Sequence, residues 1–162
     1  MSLERLLINF KNLTTVKNVH KITRRILNLS KMYYGCKMLK EYTPLRKVLE
    51  YNIKIYRECN NIKLDIEGMF AGCDAIEKMT LEGIDFTVFN EVNMDRLCEG
   101  CLNLETVDVQ GAKVKDAKSI TNAFQKCDKL RQIIAKDMKI DFKKDKFAVQ
   151  KWAQERKIEI LD

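Results

Sequence analysis

Cys98-Glu-Gly-Cys101 has the two-residue spacing that holds zinc or cycles as a dithiol. A zinc site asks for two further ligands close by, and a redox pair asks for a thioredoxin-type setting. Neither is legible around these cysteines. His20 is the sole histidine, in Lys17-Asn-Val-His20-Lys21-Ile-Thr-Arg24-Arg25. Histidine is the commonest general base, but here no nucleophile motif accompanies it, so it reads as a surface residue. Asp65, Glu67, Asp74 and Glu77 crowd together, as carboxylates on a solvated face commonly do. No nucleophile elbow, phosphate-binding glycine loop, dinucleotide fingerprint or zinc-protease helix is present. The expectation is a non-enzymatic chain with no catalytic residues, no metal and no cofactor.

The cysteines make better sense as members of a column. Aligned on them, the chain gives Met32-Tyr-Tyr-Gly-Cys36-Lys-Met-Leu39, Ile55-Tyr-Arg-Glu-Cys59-Asn-Asn-Ile62, Met69-Phe-Ala-Gly-Cys73-Asp-Ala-Ile76, Leu97-Cys-Glu-Gly-Cys101-Leu-Asn-Leu104 and Ala123-Phe-Gln-Lys-Cys127-Asp-Lys-Leu130. Three places before the cysteine stand Tyr33, Tyr56, Phe70, Cys98 and Phe124, so Cys98 fills an aromatic column. Three places after it the residue is always Leu or Ile. Apolar residues then alternate at Met79 and Leu81, Val107 and Val109, Ile133 and Ala135, and glycine follows at Gly83 and Gly111. Leu3, Leu6 and Ile8 have the same phase.

This pattern predicts a short helix ending near each cysteine, followed by a short strand with alternate side chains turned inward. Neither element can bury its apolar face alone, and stacking successive units builds a continuous core. Cysteine suits such a column because it is small and tolerates burial. An aromatic and a Gly-Cys ahead of a spaced leucine and a strand resemble the BspA-like leucine-rich repeat, well over residues 32–136 and less fully over 1–31. The resemblance implies an α/β leucine-rich-repeat solenoid, with short parallel strands on one face, short helices on the other, and a role in adhesion or protein recognition.

One domain of 162 residues is expected, with a partial first repeat at 1–31, core repeats at 32–137 and a cap at 138–162. The cysteine intervals 36 to 59, 59 to 73, 73 to 101 and 101 to 127 are unequal, and that of 14 residues is too short for an ordinary repeat of about 20–29. The short interval predicts a clipped unit with the tight strand Ile62–Ile66. Leu45, Val48 and Leu49 after Pro44 predict a helix begun at the proline. A capping helix is expected over Asp145–Glu155, with Phe147, Ala148 and Trp152 on its inner side, then a strand or tail at Lys157–Leu161.

Charge is banded. Residues 1–60 carry 13 Lys/Arg against 4 Asp/Glu, residues 61–112 carry 3 against 11, and residues 113–162 carry 14 against 8. A nucleic-acid binder usually presents one continuous basic face, so the banding favours a protein partner of mixed charge. Contact is expected on the outward strand residues Lys63, Asp65, Glu67, Lys78, Thr80, Glu82, Thr106, Asp108, Gln110, Gln132, Ile134 and Lys136. Nucleic-acid contact through Lys17, Lys21, Arg24, Arg25 and Lys31 is the alternative, set back because no stacking aromatics interleave those charges.

The opening residues lack the pattern of an export signal, and no apolar run is long enough to span a membrane. A cytoplasmic protein with free thiols is expected, a monomer or weak dimer. It would serve as a small regulator or inhibitor, for example one encoded by a phage or mobile element against a host defence complex. A fragment of a surface adhesion protein is a further alternative.

Overall fold

A computed structural model describes residues 2–21, 26–114, 117–140 and 143–161, with side chains at all of these except 117–119, 140 and 143–147. The chain is a mixed α/β structure of short parallel strands and few helices. Its strands are β1 (Thr15–Val16), β2 (Glu41–Tyr42), β3 (Lys63–Asp65), β4 (Lys78–Thr80), β5 (Glu91–Asn93), β6 (Thr106–Asp108), β7 (Lys113–Val114), β8 (Gln132–Ile134), β9 (Lys139–Ile140) and β10 (Glu159–Leu161). The largest sheet has the order β10-β8-β6-β4. Its register sets Lys78 beside Thr106, Thr106 beside Gln132, and Gln132 beside Glu159. Parallel neighbours need a full crossover between them, so each interval is one circuit of the chain. Strand pairs β1-β2, β3-β5 and β7-β9 lie outside this sheet. In β3, β4, β6 and β8 the middle residue is buried: Leu64, Met79, Val107 and Ile133.

The segments ahead of Cys36, Cys73 and Cys101 are consecutive turns, not the helices expected from the sequence. Alternate backbone N–H groups donate across to the next circuit. Lys31, Tyr33 and Gly35 bond to the carbonyls of Glu67, Met69 and Ala71, and Gly68, Phe70 and Gly72 to those of Asp95, Leu97 and Glu99. Arg96, Cys98 and Gly100 bond in turn to Asn122, Ala123 and Gln125. An α-helix would direct those donors to its own preceding turn. A left-handed residue five places before each of these cysteines, Lys31, Gly68 and Arg96 with φ of 54°, 54° and 57°, breaks any helical run at its start. Gly72 and Gly100 have φ of 68° and 67°, a left-handed backbone that ends helical progression and that glycine adopts without strain. Helices form ahead of Cys127, as α2 (Ala117–Ala123), and ahead of Cys59, as α1 (Leu45–Tyr56).

Four cysteines form an internal ladder. The Cys36 thiol donates to the Leu7 carbonyl at 3.0 Å, Cys73 to Tyr33 at 3.1 Å, Cys101 to Phe70 at 3.1 Å, and Cys127 to Cys98 at 3.0 Å. All four are buried. Cys59 is exposed, so the unit placed on it is not one of the rungs. One circuit instead runs from Cys36 to Cys73 and carries helix α1 (Leu45–Tyr56), whose Leu45, Val48 and Leu49 are buried. Asn52 of α1 is also fully buried, and its amide donates to the Ile26 carbonyl at 2.8 Å.

At the N-terminal end Leu3 and Leu7 pack on the core. Leu6 and Phe10, at 45% and 55% exposure, do not, which corrects the reading of Leu6 as a core residue. At the other end helix α3 (Lys143–Glu155) covers the core with Val149 and Ala153, while Trp152 packs partly buried against it. Ala148 is exposed rather than inward, and the Phe147 side chain lies outside the described residues. The inner face therefore falls one residue later than the sequence suggested.

Candidate interaction surface

The twelve strand-face residues fall into two groups. Lys78, Thr80, Thr106, Asp108, Gln132 and Ile134 share the four-stranded sheet, joined at its open edge by Glu159 and Leu161 of β10. Glu82, Gln110 and Lys136 follow these strands in sequence. Lys63 and Asp65 belong to β3, which pairs with β5, and Glu67 follows it. β3 and β4 are consecutive segments of one circuit, not neighbouring circuits, so the first triplet lies apart from the rest. Strand β5 escaped sequence reading because no cysteine stands five residues ahead of it, as one does ahead of β4, β6 and β8, although Val92 and Met94 alternate there as in those strands.

Several of these polar side chains are turned back on their own backbone. Asp65 accepts from the Glu67 N–H at 3.0 Å, Thr80 from Glu82 at 3.4 Å, and Asp108 from Gln110 at 3.2 Å. Ser2, Asn28 and Asn93 cap the turns after them in the same way. Short oxygen-bearing side chains satisfy turn donors locally, and Asp108 is buried in doing so. The part of the sheet left to meet a partner is accordingly the half-buried Thr106 and Ile134 and the exposed Leu161, with Lys78 exposed but held by Asp108 at 3.0 Å and Gln132 donating to Glu159 at 3.2 Å.

Charge banding is largely consumed inside the molecule. Lys31 pairs with Glu67 at 3.7 Å, Lys37 with Asp74 at 3.8 Å, and Lys63 with Glu91 at 2.6 Å. Lys78 pairs with Asp108 at 3.0 Å, Lys113 with Asp85 at 2.7 Å, Lys126 with Glu99 at 2.6 Å, and Arg131 with Glu105. Each pair joins adjacent circuits, so the acidic middle sits between basic neighbours on both sides. Among the basic-run residues, Lys17 pairs with Glu41 at 2.9 Å, Lys31 is paired as above, and Lys21 is exposed. Arg24 and Arg25 lie outside the described residues. His20 is half-buried.

The thiols are placed for packing rather than reaction. Burial pushes Cys36, Cys73 and Cys98 above the ordinary thiol value, with neighbouring thiols adding to the effect at Cys73 and Cys98. Cys127 is pushed up to about 12 by burial, reinforced by Cys101. A nucleophilic cysteine needs the opposite shift. Among the described residues no group of three His, Cys, Asp or Glu side chains is arranged to hold a metal ion, and no helix is long and apolar enough to cross a membrane. No protein family, curated protein or solved structure matches this chain.

Proposed function

We propose that the chain is a leucine-rich-repeat-type solenoid serving as a non-enzymatic protein-binding scaffold, with the four-stranded sheet as its contact face. The observation that supports this reading most is the repeated parallel register from β4 to β10, with a buried cysteine marking the circuits beside it. Stacked units of this kind present an extended surface of nearly uniform geometry. On that surface Thr106, Gln132 and Ile134 mix polar and apolar character, as a protein interface does. Nucleic-acid contact through the basic run is less well supported, because Lys17 and Lys31 already face carboxylates.

The test is comparative capture. Wild-type protein and a Thr106→Arg/Gln132→Arg variant are used as bait in lysate of the source cell. A protein retained by the wild type and lost from an equally folded variant is the expected result. Identical retention by both defeats the assignment of the face, and loss of nothing but nucleic acid defeats the assignment of the partner.

A further inference from the structure

A second surface lies on the turn side of the molecule. Register across circuits makes Arg5, Lys31, Gly68 and Arg96 one column, since each N–H donates to the next circuit at the equivalent place. All four have left-handed backbones, with φ between 54° and 59°. Three residues further on, Ile8, Tyr34, Ala71 and Glu99 make a parallel column. In the third circuit both columns carry their smallest member, Gly68 and Ala71. The outcome is a groove of about 430 Å³, floored by these two and walled by Arg5, Lys31, Arg96, Ile8 and Tyr34, with Glu67 and Glu99 also lining it.

The chemistry of the walls is asymmetric. Glu67 is engaged by Lys31 and Glu99 by Lys126. Among the described residues the Arg96 guanidinium is in no ion pair, and Arg5 reaches only Glu4, at 3.4 Å. Tyr34 is 41% exposed and offers its ring beside Ile8. Two arginines and an aromatic–aliphatic wall around a side-chain-sized gap suit a carboxylate followed by an apolar residue. The apolar wall of Tyr34 and Ile8 beside the arginines favours a peptide, which carries apolar side chains next to its acids, over a nucleic-acid strand.

We propose that this groove binds an acidic segment of a protein partner, seating an Asp or Glu side chain between Arg5 and Arg96 and an apolar neighbour against Tyr34 and Ile8. It is a different surface from the sheet face, so either assignment can fail without the other.

The probes are three: a pool of short end-capped peptides alternating Asp/Glu with Leu/Phe/Tyr, the same pool with Lys/Arg in place of the acids, and a DNA duplex. Binding is read by fluorescence anisotropy at about 50 mM salt, where charge attraction is strong. Gly68→Arg fills the gap yet adds a cation. Lys31 and Arg96 show that long side chains sit at this backbone conformation, and a Cβ at Gly68 approaches nothing closer than 3.5 Å. Arg96→Glu reverses charge at an exposed site and guards against a folding defect in the first variant. The expected result is preference for the acidic pool, weakened about tenfold or more in both variants and unchanged in Thr106→Arg/Gln132→Arg. The proposal is overturned by equal binding of the two pools. It is also overturned if Gly68→Arg binds the acidic pool as well as or better than wild type, or if the duplex outcompetes it, since diffuse positive charge then explains the attraction.

Discussion

The thiol of Cys73 donates to the backbone carbonyl of Tyr33 at 3.1 Å, from the cysteine column of one circuit to the aromatic column of the circuit before it. The same step recurs from Cys101 to Phe70 and from Cys127 to Cys98. A cysteine at this place fills the core and adds a second donor to a carbonyl that already accepts a backbone N–H, that of Cys36 at Tyr33 and that of Cys73 at Phe70. Valine or alanine could do only the first. Cys73→Ala is therefore expected to cost about 1–2 kcal/mol, mostly as lost packing. Cys59→Ala is expected to stay within about 0.5 kcal/mol as a surface change. Urea unfolding of the two variants checks the contrast.

Tyr33 itself supplies a change of the opposite sign. Its ring stacks on Phe70 at 5.1 Å between centroids, but its hydroxyl is buried without a hydrogen-bond partner among the described residues. A buried hydroxyl left unpaired costs about 1–3 kcal/mol. Tyr33→Phe keeps the stack and removes the orphan, and it should raise the unfolding midpoint by an amount equivalent to roughly 1 kcal/mol. A lowered midpoint would mean that the hydroxyl has a partner in solution.

Gly100 tests the turn conformation without interference from packing. A Cβ there meets nothing within 4 Å, so substitution reports the left-handed φ of 67° alone. Gly100→Ala should cost about 1–2 kcal/mol, and Gly100→Asn less, because Asn tolerates this region. At Gly35 the added Cβ would collide with Oδ1 of Asn9, so Gly35→Ala must also displace that side chain and should cost more than Gly100→Ala.

Asp85 makes the charge ladder visible in pH. Burial alone would raise its carboxyl, but the bond from Lys113 Nζ at 2.7 Å and those from Thr87 outweigh it and hold the group below 3.8. Its folded value lies below its unfolded one. The stabilisation is therefore complete above about 3.8 and disappears as pH falls through the folded value. Wild type should exceed Asp85→Asn by roughly 0.5–1 kcal/mol near neutrality, and the gap should shrink at pH 3. A gap that does not change with pH contradicts the pairing.

What the sequence made legible follows from what it spaces regularly. Met79, Val107 and Ile133 announced their strands because each is followed two residues on by another apolar residue, Leu81, Val109 and Ala135, at period two. The α1 helix was readable from Pro44 and the 3–4 spacing of Leu45, Val48 and Leu49. Cys59 misled because Ile55, Tyr56 and Ile62 repeat the apolar spacing of the column by helical periodicity alone. What sets it apart is its interval of 14 residues to Cys73, too short for a circuit, and that interval was the available signal. The left-handed residues Lys31, Gly68 and Arg96 distinguish turns from helices ahead of the cysteines, a difference of backbone conformation that apolar periodicity does not carry. Pairing of Lys78 with Asp108 or Lys126 with Glu99 depends on which circuits are neighbours, so the charge bands looked like partner surface until register was known. The groove at Gly68 likewise needed register, since it exists only because Arg5, Lys31 and Arg96 align around a missing side chain.

Pulsed alkylation of the native protein with iodoacetamide, read cysteine by cysteine by mass spectrometry, tests the stacked arrangement most directly. Cys59 should be modified first and alone, with Cys36, Cys73, Cys98, Cys101 and Cys127 protected until denaturant is added. Modification of Cys73 or Cys101 as quickly as Cys59 would contradict the internal ladder and the sheet register built beside it.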